Sequence, residues 1–120
     1  MINDFNNKYC ERTKLFTINL LKTLNSIHSS DTTRIILKQI IRSGTSVSAN
    51  FRAASRARSK AEYYSKICIV VEECDETLYW LELLSEAGLI EKEKLFSVQN
   101  EATELLKIFS STKKKLRESK

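Results

Sequence analysis

The feature that most restricts this chain is its lack of turn-forming residues: its 120 residues include no proline and only two glycines. Hairpins, β-sandwiches and phosphate-binding loops need these residues at tight turns and at positive backbone φ angles. Along most of the chain, apolar residues recur at every third or fourth position, which is the spacing of a helix with one buried face. The sequence therefore predicts an all-α protein.

The chain has the length of one domain, and short polar stretches divide its apolar pattern into four segments. We expect helices at about residues 7–28, 31–58, 60–87 and 91–117. Short connections make neighbouring long helices antiparallel. The predicted fold class is thus an antiparallel, up-down four-helix bundle in a single domain.

A few positions predict where the helices begin, end or pack closely. Ser30 or Asp31 is placed to cap the second helix by accepting bonds from its free amides. The S-x-x-E sequence that begins at Ser59 is a capping box, so the third helix starts there. Gly88 favours the left-handed turn that ends a helix. Gly44, inside the second helix, costs about 1 kcal/mol of helix propensity, which indicates close packing against a neighbouring helix.

The sequence predicts neither a membrane segment nor a catalytic centre. The longest apolar run, Ile67 to Val71, is far shorter than the roughly 20 residues that cross a bilayer, and the N-terminus lacks a signal-peptide pattern. Three cysteines without a CxxC pair fit reduced thiols, so we expect a cytoplasmic protein. A di-metal centre in a bundle needs Glu-x-x-His on two helices, and His28 is the only histidine. We therefore expect no metal, no cofactor and no enzymatic activity.

Charge is segregated along the chain. The formal net charge is +8 in residues 1–60, −7 in residues 61–112 and +4 in residues 113–120. The carboxylates around Cys74 on the third helix are therefore expected to be surface charges or ion-pair partners of the basic helices. Cys74 itself lies on the apolar stripe and is expected to be a small buried residue. The final cations are favoured by the dipole of the last helix alone.

The second helix carries a stripe of basic residues opposite its apolar face. Residues four apart advance by only about 40° around a helix, and residues 18 apart return to the same angle. Such a row can neutralise successive phosphates of nucleic acid. It can equally be a solvated face that balances the charge of the acidic helices. The candidate nucleic-acid-binding residues are Arg34, Lys38, Arg42, Arg52, Arg56 and Arg58.

The third helix has a second apolar group away from its core stripe. A subunit interface is one interpretation, since a helix with two apolar faces is seldom the outer helix of a monomer. The alternative is that the first helix or the segment after Gly88 covers these side chains. On the second helix, Asn50 predicts an inter-helix hydrogen bond that sets the packing register. The candidate interface residues are Ile69, Trp80, Leu83 and Leu84.

The string Q-I-I-R-S-G-T-S-V-S-A-N, from Gln39 to Asn50, is followed by basic residues, a glutamate-bearing helix and a glycine. It resembles the small bacterial four-helix-bundle proteins first noticed in intervening sequences of large-subunit ribosomal RNA genes. Their usual string is Q-x-R-R-A-x-x-S-I-x-x-N-I-A-E-G, and the resemblance covers about residues 10–116. The family's Glu-Gly pair is replaced here by Ala53-Ala54. The matching positions are Gln39, Arg42, Ser46, Val47, Asn50, Arg56, Arg58, Glu76 and Gly88.

The resemblance implies an up-down bundle that assembles into a homopentamer with a central channel. A related accessory protein of diversity-generating retroelements binds nucleic acid and a reverse transcriptase in this form. We therefore predict a non-enzymatic oligomer that binds nucleic acid, either structured RNA or an RNA–protein complex, through the basic stripe. The alternative prediction is a homo-oligomeric protein-interaction scaffold with no role in nucleic-acid binding.

Overall fold

Four α-helices form the computed structural model of the chain, which describes residues 3–119 and has no strand among them. In chain order they pack as neighbours, and the last helix also packs against the first, in a rod of 47 × 22 × 21 Å. No helix in the described part of the chain is long and apolar enough to span a membrane. The predicted four-helix fold is confirmed. The helices are Asp4–Asn25 (α1), Asp31–Ser55 (α2), Lys60–Glu86 (α3) and Lys92–Glu118 (α4).

Local capping decides where the first two helices begin. α1 begins before the predicted residue 7 because the side chain of Asn3 accepts a 2.7 Å hydrogen bond from the backbone N–H of Asn6. Ser30 caps α2 by accepting a 3.2 Å bond from the N–H of Thr33. α2 ends at Ser55, earlier than predicted.

The predicted signals for α3 are found at both of its ends. The hydroxyl of Ser59 accepts a 3.1 Å bond from the N–H of Glu62, which is one half of the capping box. Within residues 3–119 the reciprocal bond to Ser59 is not formed, and the Glu62 carboxylate lies 3.7 Å from the Arg58 guanidinium instead. Gly88 has a φ of +70°, the left-handed conformation that ends a helix.

α1 lies close to α2 on one side and is bonded to α4 on the other. A Cβ at Gly44 of α2 would collide with the buried Leu20 of α1, which agrees with the predicted close packing at this glycine. On its other side, α1 is joined to α4 by Arg12, whose Nε and Nη2 donate bonds of 2.7 and 2.8 Å to the two carboxylate oxygens of Glu101. Nη2 also donates a 3.0 Å bond to Glu104.

The predicted inter-helix bond of Asn50 is wrong. Its side-chain amide donates a 2.9 Å bond to the carbonyl of Ser46, one turn earlier in the same helix. A buried hydroxyl pair links α2 to α3 instead, since the hydroxyl of Thr77 donates a 2.9 Å bond to that of Ser43. This pair is a polar contact between the two helices inside an otherwise apolar core.

Candidate nucleic-acid interface

The six candidate basic residues are all exposed, but two of the three in the first half of α2, Arg34 and Arg42, face carboxylates. Arg34 Nη1 lies 2.9 Å from the carboxylate of Asp31, one turn earlier. Arg42 of α2 forms an ion pair with Glu76 of α3. Its second ion pair, with Glu73 of α3, is 3.4 Å long. Part of this stripe is therefore engaged within the protein.

Arg42 and Glu76 form the centre of a small polar network between α2 and α3. Hydrogen bonds from Arg42 and from the indole N–H of Trp80, the latter 3.1 Å long, lower the pKa of the Glu76 carboxyl. The same carboxylate raises the pKa of Arg42. The prediction that the carboxylates of the third helix pair with basic helices is thus confirmed for Glu73 and Glu76.

The basic residues near the end of α2 are in a different environment. Among residues 3–119, no carboxylate forms an ion pair with Arg52, Arg56 or Lys14. All three line a groove of about 540 Å³ between α1 and α2, in which Glu11 is the one acidic lining residue described. Arg58, in the following turn, is 90% exposed, and its one ion pair within the described residues is the 3.7 Å contact to Glu62. Most of the uncompensated positive charge of α2 therefore lies at its C-terminal end.

The antiparallel fold brings further cations to this end of the rod. The α2–α3 end, as we define it, comprises residues 3–10, 52–63 and 110–119, with nine Lys and Arg against three Asp and Glu. The opposite end, residues 18–38 and 80–97, has five of each. The bundle is therefore positively charged at one end. The sequence analysis grouped the charges by helix and missed the excess of cations at this end. The predicted antiparallel order could have shown it, because that order places the last residues of α4 beside the end of α2.

The candidate interface residues on α3 do not share one environment. Leu84 is 0% exposed and lies in the core, so it is unavailable to a second copy and its assignment to an interface is corrected. The reason is its spacing, which places it on the same buried face as Thr77 and Leu81. Ile69, Leu83 and Trp80 are half-buried, and Trp80 also packs against the core.

Several apolar side chains outside the candidate set are more exposed. Leu15 of α1 is 57% exposed and Ile35 of α2 is 66% exposed. Sequence reasoning missed this surface, although the apolar residues of α1 occupy more of the helix circumference than one buried face can cover. The other large apolar side chains in this group are Ile18, Leu21, Ile41, Tyr79 and Phe96.

The described residues contain no arrangement suited to metal binding. Within residues 3–119, no group of three His, Cys, Asp or Glu side chains is placed to hold an ion. Cys74 is 1% exposed, as predicted, and burial raises the pKa of its thiol to about 12. At neutral pH it is therefore a protonated, inaccessible thiol.

Comparison with known protein families and structures shows what this chain is similar to. A family model described as "23S rRNA-intervening sequence protein" matches residues 6–111. The chain belongs to this family. It is also similar to the crystal structure of a protein with unknown function from the S23 ribosomal protein family of Bacteroides thetaiotaomicron. The sequences are 34% identical, the match covers 91% of this chain and 97% of that chain, and the TM-score is 0.81. A comparison with curated proteins gives no match.

Several positions that carry the family resemblance have structural roles in this family member. Arg42 and Glu76 are bonded to each other, and Asn50 bonds to the backbone of Ser46. Arg56 is also a matching position, yet it has no ion-pair partner in the described part of the chain. In this chain, the positions that match the family string therefore include both an inter-helix ion pair and an exposed cation near the end of α2.

Proposed function

We propose that this protein is a non-enzymatic, cytoplasmic member of its family that binds nucleic acid, either structured RNA or an RNA–protein complex. The observation that carries the proposal is the group of basic side chains at the end of α2, above all Arg52 and Arg56, that have no carboxylate partner in the described part of the chain. Guanidinium groups along one helix face contact successive phosphates and release the counterions bound to them. The family description, which names a ribosomal RNA, supports RNA as the ligand.

The six candidate residues contribute unequally in this proposal. Arg52 and Arg56 have no ion pair to give up within residues 3–119, so their whole charge is available to phosphates. Arg34 and Arg42 would exchange one anionic partner for another, which returns little net free energy at an exposed site. Lys38 is exposed and has no ion pair among the described residues, and the weak pair of Arg58 is readily replaced.

We also propose that copies of the bundle assemble into a ring, with a homopentamer as the favoured state. One bundle with few free cations would bind weakly, since non-specific dissociation constants are about 10⁻⁴ to 10⁻⁶ M in physiological salt. Repeated copies raise the effective concentration of later contacts, and avidity then exceeds the affinity of one subunit by about 10²- to 10⁴-fold. Exposed apolar side chains on α1 and α3 support such an assembly.

The same apolar surfaces support a second candidate function. In a homo-oligomeric interaction scaffold, the apolar side chains would join copies of the chain, and the cations at the α2–α3 end would only balance the acidic helices. This candidate requires assembly but no affinity for nucleic acid.

Salt titration of nucleic-acid binding distinguishes the two functions. Fluorescence anisotropy measures the affinity of the protein for RNA and for duplex DNA, starting at about 50 mM salt, where phosphate contacts are strong. The test variant carries glutamate at Arg34, Lys38, Arg52 and Arg56. We expect the wild type to bind both probes with steep salt dependence, and the variant to keep its oligomeric state without binding. Absence of wild-type binding, or equal binding by the variant, favours the scaffold.

A further inference from the structure

A recess at the α2–α3 end lies where α1, α3 and α4 meet, away from the stripe on α2. Its volume is about 440 Å³, within the range of about 300–1,000 Å³ for sites that take small organic groups. Three of its lining side chains are half-buried and apolar or aromatic, and two are exposed lysines. These residues are Phe5, Tyr63, Leu116, Lys60 and Lys115.

Helix stability does not account for the lysine on α3. Lys60 is the first residue of that helix, where the dipole favours carboxylates and disfavours cations. Within residues 3–119, neither Lys60 nor Lys115 has an ion-pair partner. The charge beside the recess is therefore available to an external anion.

The two aromatic rings of the recess are held in place by their neighbours. The centroid of the Phe5 ring lies 4.6 Å from that of Tyr9 and 6.2 Å from that of Phe51. The hydroxyl of Tyr63 donates a 2.8 Å bond to Oδ1 of Asn6, and burial raises the pKa of this hydroxyl above its ordinary value. Rings that are fixed before binding lose little conformational entropy when a ligand stacks on them.

We propose that this recess takes an unstacked base of single-stranded nucleic acid, while the adjoining phosphates contact Lys60 and Lys115. The inference rests on the proposed nucleic-acid binding and adds that the ligand contains a single-stranded segment. Aromatic side chains beside cations are the combination that binds single strands without sequence preference. A duplex keeps its bases stacked, so it reaches the lysines but leaves the recess empty. A loop or bulge of a structured RNA offers the required base.

A pair of phenylalanine variants tests the role of the recess. Phe5→Leu removes an aromatic face and keeps an apolar side chain, whereas Phe96→Leu makes the same change at a 60% exposed site near the opposite end. Anisotropy is measured with a labelled 12-nucleotide RNA and with the same strand annealed to its complement. We expect the wild type to prefer the single strand by about tenfold. Phe5→Leu should lose this preference with its duplex affinity unchanged, and Phe96→Leu should keep it.

Lysine variants test the phosphate contacts. Lys60→Gln combined with Lys115→Gln should weaken binding of both probes, since both probes carry phosphates. Lys92→Gln combined with Lys94→Gln removes the same charge from the other end of the rod and should leave both affinities unchanged. Equal loss in the two double variants would overturn the assignment of the phosphates to the recess.

Photocrosslinking of the wild type keeps the inference testable if Phe5→Leu does not fold. Adducts of a 5-bromouridine RNA on peptides that contain Phe5 or Tyr63 support it, and adducts confined to other aromatic residues, such as Tyr79, contradict it. Equal affinity of the wild type for the single strand and the duplex overturns this inference and leaves the proposed function standing. Lack of binding to either probe, or binding only to vesicles of anionic lipid, overturns both.

Discussion

Cys74 shows how a single buried group makes stability depend on pH. Its thiol has an ordinary pKa of about 8.5 in the unfolded chain, and burial raises the pKa to about 12 in the folded protein. Below pH 8.5 the thiol is protonated in both states and its stabilising contribution is complete. As the pH rises toward 12, the unfolded chain releases the proton first, so the free energy of unfolding falls.

We predict that this contribution is measurable against Cys74→Ala. The advantage of the wild type in free energy of unfolding should shrink by about 1.4 kcal/mol for each pH unit above about 9. Urea denaturation of both proteins at pH 7.5, 9 and 10 measures it, and titration of other groups affects the two proteins alike. Parallel stability curves over this range would show that Cys74 does not carry the effect.

For single residues, the sequence predicts the helix face that a side chain occupies more reliably than it predicts the hydrogen-bond partner of that side chain. Cys74 follows Ile67 and Val70 at helical spacing, and this alone predicts its burial. Asn50 also lies beside the apolar face, yet whether its amide reaches another helix depends on the distance between backbones. The carbonyl of Ser46, one turn away in the same helix, accepts the bond from the Asn50 amide.

At the scale of the helix, the two glycines are required for different reasons. Gly44 lies inside α2, where a side chain would collide with Leu20. Gly88 follows α3 with a φ of +70°, and no atom lies within 4 Å of the place where its Cβ would be. Substitution at Gly88 therefore tests backbone conformation without a steric contribution.

Replacement of Gly88 by alanine should lower the free energy of unfolding by about 1–2 kcal/mol, because a Cβ disfavours the left-handed conformation. Gly88→Asn is the matched control, since asparagine tolerates this conformation and should lose less. Urea denaturation measures both variants. A loss from asparagine as large as that from alanine would mean that the turn depends on something other than φ.

Helix boundaries were predictable wherever a cap sits next to the apolar pattern. Ser59 and Gly88 bound α3 in this way. The start of α1 was missed because Asn3 caps a first turn that contains few apolar residues. The spacing of apolar residues indicates which helical turns are buried, so it cannot reveal a turn that has few apolar residues.

At the scale of the whole molecule, the proposed assembly is tested on two surfaces. We predict that the protein is an oligomer in light scattering, with a pentamer favoured, and that Ile69→Glu combined with Leu83→Glu yields a folded monomer. Leu15→Glu combined with Ile18→Glu makes the same change on α1. If only the α1 variant dissociates, the contact lies on α1. A wild type that is monomeric at tens of micromolar, a concentration typical of moderate association constants, contradicts assembly.

The distribution of charge over the molecule could be predicted only in part from the sequence. Segregation by helix is visible in the linear chain, because residues 1–60 are basic and the acidic residues follow. Segregation by end requires the antiparallel order, which places the C-terminus of α4 beside the turn after α2. Which cations are free also depends on the inter-helix pair of Arg42, and no spacing along α2 reveals it.

The salt dependence of RNA affinity in two matched variants tests whether Arg52 and Arg56 contact the phosphates. Arg52→Gln combined with Arg56→Gln removes two cations that have no ion pair within residues 3–119, and Arg34→Gln combined with Arg42→Gln removes two paired ones. For the wild type, the logarithm of the affinity should fall linearly with the logarithm of the salt concentration. The first variant should reduce that slope by about 1.5–2, and the second should change it little. An equal change in both variants, or no binding by the wild type at about 50 mM salt, would contradict phosphate binding by Arg52 and Arg56.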